Sequence, residues 1–498
     1  MILGTAAFNA KIKEVSDLYQ AEKPRLALDR LRRMVDRGVF TPEEQWQVYN
    51  CYSNCYYRLF DLDRQLEYLW LSINTTLGQS LREQQTALSD YLMLIHYSDK
   101  FTDELMRSRH FCYDELTRTT ETFAHEPTRH RHRRIRIGYL ADTFAENVSS
   151  YFTLQFFTDY DPSRFEIYCY GLRPWAEDAI LPKLIGERVQ KIVSIPRSAT
   201  PKEIADLIYA DEIDILFDLE VHNAGGKTVM VASHKPAPVQ IAGIGFMNTS
   251  GLRVNDYFLS DVYLDPVGEH DEDFSEELIR LPHSHFCFNP LAAMRHPMPP
   301  YRPKDYVLFA GFNNFFKITD AMLAAWAEIL REVPGSKLLL KNSMHRTGAL
   351  KGIRKKAARA GIPKERLIIE DASGDYVYKY AEADIILDTY PYTGGATTCD
   401  ALYRGLPVVS LSGSRHGTRF SYSLLQNTGL GELCAATVDE YVNIAVTLAK
   451  DKNRLQKLHD EIPGRFKASP VMNYKGYMQE IEAVYLKIWE KWLNGYGK

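Results

Sequence analysis

The sequence predicts an α/β protein in which two consecutive Rossmann-like units face a cleft, preceded by an all-α helical-repeat region. Three observations predict it. Residues 7 to about 120 read as helix after helix, two later series of short apolar runs read as buried parallel strands, and a proline-rich stretch separates the two series. A chain of 498 residues has room for about three domains and a large core.

The helical region is expected over residues 1–125. Apolar positions three and four apart predict helices over 8–22, 24–36, 42–60, 63–77, 81–97 and 102–120, joined by turns of a few residues. A spacing near forty residues per helix pair suits a short array such as tetratricopeptide (TPR) repeats, with Tyr, Leu and Ala at interior positions. Two readings fit this region. It is a concave surface that grips a protein or peptide, or it is a helical lid that stabilises the domain behind it or forms a dimer. Cys51 and Cys55, four apart on one helical face, read as packing residues. Seven cysteines without C-x-x-C spacing argue against a zinc cage and a disulfide framework.

The run T-R-H-R-H-R-R-I-R at 128–136 reads as a solvated linker and is assigned no site. A net charge of −4 gives no sign of a nucleic-acid partner. The N-terminus lacks the apolar core of a signal peptide, and no apolar run approaches the roughly eighteen residues of a membrane span. A soluble, cytoplasmic protein is therefore expected.

The first α/β unit is expected over 126–300, with strands I-R-I-G-Y-L, F-E-I-Y-C-Y-G-L, I-D-I-L-F-D-L, V-Q-I-A-G-I-G and D-Y-F-L-S-D. Pro290, Pro297, Pro299, Pro300 and Pro303 punctuate the passage to the second unit, expected over 301–470. Its strands read Y-V-L-F-A-G-F, S-K-L-L-L-K, R-L-I-I-E, D-I-I-L-D-T and P-V-V-S-L, with helices such as 320–332 between them. Residues 471–498 hold a packing helix over 474–492, whose mixed Lys and Glu do not form a membrane-binding basic face.

The most informative stretch is D-I-I-L-D-T-Y-P-Y-T-G-G-A-T-T-C-D-A-L-Y-R-G-L-P-V-V-S-L-S-G at 384–413, a strand, a glycine turn, a helix and a strand. Glycines permit close backbone approach, and the N–H groups and dipole of a helix N-terminus seat a phosphate. An ordinary tight crossover between parallel strands reads the same way on this segment alone.

Several motifs in order carry a specific resemblance. G-F-N-N-F-F-K-I-T lies at 311–319 and L-D-T-Y-P-Y-T-G-G-A-T-T-C-D-A-L-Y-R-G-L-P-V-V at 387–409; D-L-E-V-H-N lies at 218–223, K-P-A-P-V-Q at 235–240 and G-F-M-N-T-S-G-L at 245–252. From about residue 135 to the end the chain resembles the SPINDLY and O-linked N-acetylglucosamine transferase family. The resemblance implies a GT-B fold whose terminal helix braces the cleft. It also implies an inverting, metal-independent transfer of a sugar from a nucleotide donor to Ser or Thr hydroxyls of proteins.

A metal-free site needs fixed cations and N–H donors at the departing diphosphate. Lys317, in a loop after a strand and the polar pair Asn313–Asn314, falls where the family places its diphosphate-binding lysine. Gly394 and Gly395 with the following helix N-terminus would meet the other side of the diphosphate, with Thr397 and Thr398 adding hydroxyl donors. Asp400 matches an acidic family position that accepts the ribose hydroxyls, and it also suits a first helical turn by charge. Tyr376 matches the position of a ring against the donor base, and a surface tyrosine reads the same. His416 and Arg419 are second-rank phosphate contacts.

One departure bears on mechanism. Asn147, in A-D-T-F-A-E-N-V-S-S-Y-F, stands where the family commonly carries a histidine near the reacting hydroxyl. An asparagine can position a hydroxyl but cannot take its proton. His222 is then the expected general base, with Glu146 behind it. Two function classes remain: a protein O-glycosyltransferase using UDP-GlcNAc or another UDP-sugar, with GDP-fucose the nearest alternative donor, or a catalytically reduced subunit that kept the nucleotide seat. No cofactor or metal is expected. The partners are a nucleotide-sugar donor and a protein acceptor held by the helical repeats, with a homo- or hetero-oligomer open.

Overall fold

A computed structural model describes residues 5–38, 40–290, 299–344 and 348–495. Pro297 of the proline-rich stretch lies outside the described residues. Six helices come first: α1 (Thr5–Gln20), α2 (Pro24–Asp36), α3 (Gln45–Arg58), α4 (Leu62–Asn74), α5 (Leu81–Ile95) and α6 (Asp103–Thr117). Their starts are chemically marked. Pro24 opens α2, Ser80 and Glu83 form a capping box at α5, and the Thr102 hydroxyl accepts the Leu105 N–H at α6.

The six helices divide by what they pack on. Phe8, Leu28, Leu31, Val48, Tyr52 and Tyr56 build a core of their own, with Tyr68 stacked on Tyr52 at 4.6 Å. Leu66, Leu88, Leu92, Met106 and Tyr113 belong instead to the main core shared with the rest of the chain. Helices α4–α6 are therefore buried structure and not an appended array.

The first lobe is a parallel seven-stranded sheet in the order β3-β2-β1-β4-β5-β6-β7. Its strands are β1 (Ile135–Ala141), β2 (Phe165–Gly171), β3 (Lys191–Ser194), β4 (Ile215–Asp218), β5 (Val239–Ala242), β6 (Tyr257–Asp261) and β7 (Glu277–Leu281). The second lobe is a parallel six-stranded sheet in the order β10-β9-β8-β11-β12-β13, formed by β8 (Leu308–Gly311), β9 (Lys337–Lys341), β10 (Leu367–Glu370), β11 (Ile385–Leu387), β12 (Val408–Leu411) and β13 (Cys434–Ala435). In each sheet the strand order reverses once beside the first strand, between β1 and β4 and between β8 and β11. Open α/β sheets bind ligands at the carboxyl ends of the strands at that switch point. The site should therefore lie among the loops after β1, β4, β8 and β11.

The basic run before β1 is not a solvated linker. Arg129 donates to the Tyr209 carbonyl, His130 pairs with the buried Asp214 at 2.8 Å, and Arg134 and Arg136 bind Glu166. It fastens the helical region to the first sheet. The last helix, Tyr474–Gly495, returns to the first lobe, where the Tyr485 and Tyr139 hydroxyls lie 2.9 Å apart and Tyr477 donates to the His285 carbonyl. Among the described residues no helix is long and apolar enough to cross a membrane.

Candidate functional site

A cavity of about 550 Å³ opens between the lobes, lined from the second lobe by Asn313, Asn314, Lys317, Tyr376, Gly395, Thr397 and Asp400. The first lobe contributes Ser149, Tyr151, Asn223, Gly245 and Phe246, and helix α5 and the turn after it contribute Met93 and Tyr97. The walls meet where both sheets have their switch points.

Lys317 sits in a single turn of 3-10 helix over Phe315–Lys317, opened by the Asn314 side chain accepting the Phe316 N–H. Its ammonium lies 3.5 Å from the centre of the Tyr392 ring, and Tyr392 in turn stacks on Tyr97, in the turn after α5. Removal from water pulls the Lys317 ammonium down to about 8, against the opposing pull of the Asp388 carboxylate. A half-buried cation that makes no ion pair among the described residues can receive a diphosphate.

Asp388, a residue the sequence reading did not single out, organises the turn after β11. It accepts the N–H groups of Thr389 and Gly394, the hydroxyls of Ser410 and Ser421, and the Asn313 amide. Burial pushes its pKa up while these donors hold it down. Its signal in the sequence was an acidic residue at the end of an apolar strand ahead of a glycine turn. Gly394 must be glycine, since a Cβ there would lie 2.5 Å from the Thr398 hydroxyl and 2.6 Å from that of Thr397. Gly395 precedes helix Ala396–Tyr403, whose first N–H groups have no intrahelical partner and open at the cleft.

Thr397 lines the cleft and its hydroxyl reaches the Asn313 side chain at 3.2 Å. Asp400 is buried, one of its carboxylate oxygens has no hydrogen-bond partner, and burial pushes it up to about 7 against the pull of Arg404. Tyr376 stands half-buried at the same wall, its hydroxyl directed to Tyr380 and the Phe312 carbonyl. Burial pushes its phenol pKa up.

Other expected residues do not reach the cleft. The Gly394 N–H is taken up by Asp388, and the Thr398 hydroxyl is buried against Ser421 at 2.7 Å. His416 is buried against Asp265 at 2.6 Å among Phe258, Phe274 and Phe420. Arg419 donates to the carbonyls of Tyr263 and Gly413. His416 and Arg419 tie the second lobe to the first, and Thr398 is held inside its own lobe, instead of facing a phosphate.

The first lobe corrects the expected general base. His222 is fully buried, with Nδ1 3.0 Å from the Ser89 hydroxyl and Nε2 2.9 Å from the Ser250 carbonyl. Tyr113 and Phe246 pack on its ring, and burial pulls it down to about 3. It joins α5 to the first lobe, and with both ring nitrogens engaged away from the cleft it is not placed to take a proton there. Asn147 accepts the Ser150 N–H and hydroxyl, which turns the chain into helix Ser150–Thr153, and Glu146 is exposed. Beneath the cleft surface lies Glu220, accepting from Ser149 and Asn223. Sequence reading passed over it because the D-L-E-V-H-N segment drew attention to its histidine.

A family model described as glycosyl transferase family 41 matches residues 91–299 and 298–481. A probable UDP-N-acetylglucosamine–peptide N-acetylglucosaminyltransferase SPINDLY of Arabidopsis thaliana is 34% identical over 378 residues, covering 73% of this chain and 40% of the relative. The protein of the same description from Oryza sativa subsp. japonica is 33% identical, with the same shares covered. The chain thus spans about two-fifths of the length of these curated relatives. A solved variant of the Thermobaculum terrenum O-GlcNAc transferase superposes with a TM-score of 0.79 at 23% identity, covering 99% of each chain. That likeness shows the fold the resemblance implied, two Rossmann-like lobes of GT-B type behind TPR-like helices.

Proposed function

The chain belongs to glycosyl transferase family 41, and from that premise we propose that it transfers N-acetylglucosamine from UDP-GlcNAc to Ser or Thr hydroxyls of a protein. The observation that carries this reading is the seat at the second lobe's switch point: the Lys317 ammonium, the Asn313–Thr397 pair and the open end of helix Ala396–Tyr403 converge on one cleft. The seat offers positive charge and N–H donors where a diphosphate gathers negative charge as it leaves. Asp400, with its unpartnered oxygen, would accept the ribose hydroxyls, and Tyr376 would lie against the base. The transfer is read as inverting and metal-independent, since these fixed donors suit the role of a bound cation. The names of the relatives support UDP-GlcNAc as donor, with GDP-fucose the alternative. The acceptor would enter past the end of α5, which with the turn after it already forms part of the wall through Met93 and Tyr97. Seven free thiols suit a cytoplasmic setting.

A panel of UDP, GDP, UDP-GlcNAc and GDP-fucose in a thermal-shift assay tests the donor, because a ligand that binds only the folded chain raises Tm by mass action. UDP and UDP-GlcNAc should raise it and GDP should not. Binding without turnover on any protein acceptor would instead favour the catalytically reduced subunit, a reading that the burial of His222 and the presence of Asn147 keep alive.

A further inference from the structure

We propose that Glu220 is the final acceptor of the proton lost by the attacking hydroxyl, reached through the side chain of Ser149. The inference rests on the transferase reading above and deepens it, because it supplies the proton acceptor that neither Asn147 nor His222 can provide.

The argument begins at the switch point of the first sheet. Ser149 comes from the loop after β1, and Glu220 and Asn223 come from the loop after β4, so the three meet where open sheets present their chemistry. Ser149 and Asn223 line the cleft, across from Lys317, Thr397 and Asp400. Glu220 lies one layer behind them, 5% exposed. The Ser149 hydroxyl donates to Glu220 Oε1 at 3.2 Å and the Asn223 amide donates to Oε2 at 3.1 Å. Asn223 also donates to the Gly245 carbonyl at 2.6 Å, which fixes its orientation. The backbone of Gly245 closes over the carboxylate so tightly that a Cβ there would sit 3.1 Å from Oε2.

A serine that hands its proton to a carboxylate keeps its lone pairs for a second donor on the cleft side. An acceptor hydroxyl bound there would donate to Ser149 Oγ. As its oxygen bonds to the anomeric carbon, the bond from that carbon to the diphosphate oxygen breaks and the electron pair leaves with the diphosphate. The acceptor's proton moves to Ser149 Oγ, and the proton of Ser149 moves to Glu220 Oε1. Charge is conserved: one carboxylate is neutralised and one negative charge appears on the leaving group, opposite Lys317.

The setting suits a group that must change protonation near neutrality. Among the described residues no lysine or arginine pairs with Glu220. The charged groups that face it are Asp218, at the end of its own strand, and Asp142, at the end of β1, and both disfavour its ionised form. Burial is the larger cause, and together they push Glu220 up to about 7, while the Ser149 and Asn223 donors restrain the rise. The base is ionised above that value, so turnover should rise with pH through about 7. Lys317 loses its charge above about 8. In kcat/KM, which reports the groups of the free chain, a bell with its optimum between the two limbs follows.

The test measures turnover of UDP-GlcNAc, by transfer to protein and by hydrolysis to water, over pH 5.5–9.5 for the full chain and for Glu220→Gln and Ser149→Ala. GDP-fucose serves as a second donor arm. The expected result for Glu220→Gln is a fall in kcat of about a hundredfold or more and loss of the acid limb, with KM for the donor and the Tm shift by UDP unchanged. Ser149→Ala should lower kcat similarly with donor binding intact. Should Glu220→Gln merely lower Tm, with kcat and the acid limb as in the wild type, Glu220 is structural and the inference is overturned while the transferase reading stands. Should the wild-type chain neither bind nor turn over any donor, that reading fails and the inference falls with it.

Discussion

On the wall built by the second lobe, the loop after β8 and the helix Ala396–Tyr403 present Asn313, Lys317, Thr397 and Asp400 directly to the cleft. On the wall built by the first lobe, the equivalent loops present Ser149 and Asn223 and keep Glu220 and His222 beneath the surface. The two sheets share one topology, so the difference arises from what covers them. The second lobe's loops finish their own hydrogen bonding around Asp388, and what they take from the helical region is ring packing, Tyr97 on Tyr392 and Tyr57 and Phe60 on Phe316. The first lobe's loop after β4 is completed by another part of the chain: Ser89 of α5 bonds His222, and the ring of Tyr113 from α6 packs on it. The proposed diphosphate seat is thus hydrogen-bonded locally, whereas the opposite wall takes its hydrogen bonds from another part of the chain.

The largest expected effect tests that assembly. A truncation removing residues 1–125 should not leave a working donor-hydrolysing core, since it strips Leu88, Leu92, Met106 and Tyr113 from the main core. It also strips Tyr57 and Phe60 from Phe316, at 5.4 and 4.4 Å. Core losses cost about 2–5 kcal/mol per large side chain, so several exceed the usual stability of a domain. Insoluble or molten product by circular dichroism is expected; a cooperative melt and normal UDP-GlcNAc hydrolysis would show that the helices are only a lid.

Next in size is Lys317→Ala, which should lower kcat/KM by about a hundredfold or more, the usual cost of a lost transition-state charge donor. Folding should survive, because the ammonium makes no ion pair among the described residues and removal from water already disfavours it. Bound diphosphate favours the charged lysine, so donor affinity should hold below pH 8 and weaken above it, by up to about tenfold per pH unit. Calorimetric titration with UDP at pH 7 and pH 9 reads this directly. Equal affinity at both would remove Lys317 from the seat.

His222→Ala probes the other wall and should act on stability. It leaves the Ser89 hydroxyl and the Ser250 carbonyl unpaired in a buried site, at about 1–3 kcal/mol each. The neutral imidazole also sets a pH dependence. His222 is held at about 3 and His110 at about 4, both by burial, so each takes up a proton only on unfolding. Wild-type stability should be complete above about pH 6.5 and fall as the pH drops toward 4, by up to 1.4 kcal/mol per unit for each such histidine. Chemical denaturation at pH 7.5 and pH 5 checks the sign, and His222→Ala should flatten the slope while leaving the acid limb of turnover in place.

How much of this was legible follows the same division. The core strands announced themselves as apolar runs because both faces of a parallel sheet are covered. The strands that went unread are β3 and β7, the two edges of the first sheet, and β13, an edge of the second. Lys191 and Glu277 open two of these half-exposed strands and the third has two residues, so no apolar run forms in them, whereas the edge strand β10 keeps Leu367, Ile368 and Ile369 and could be read. Lys317, Thr397 and Asp400 reach the cleft because strand, turn and helix start fix their direction locally. His222 and Glu220 sit two residues apart after one strand, and the pattern could not say which is plugged by a helix more than a hundred residues away.

The smallest effect separates two neighbours. Thr397 and Thr398 are chemically identical and adjacent on the first turn of one helix, where successive side chains point about 100° apart. Thr397 faces the cleft and reaches Asn313, whereas Thr398 turns inward onto Ser421, which itself donates to Asp388. Valine keeps the shape and removes the hydroxyl. Thr397→Val should weaken UDP binding several-fold, the loss of one hydrogen bond of about 1 kcal/mol, with little change in Tm. Thr398→Val should leave UDP binding alone and lower stability by about 1 kcal/mol, since it breaks a buried chain of hydroxyls that ends on the carboxylate organising the turn. Paired UDP titrations and melts of the two variants give a crossed pattern if the seat works as described. If Thr398→Val instead weakens UDP while Thr397→Val is silent, the helix presents its other face to the diphosphate and the seat must be redrawn around Asp388.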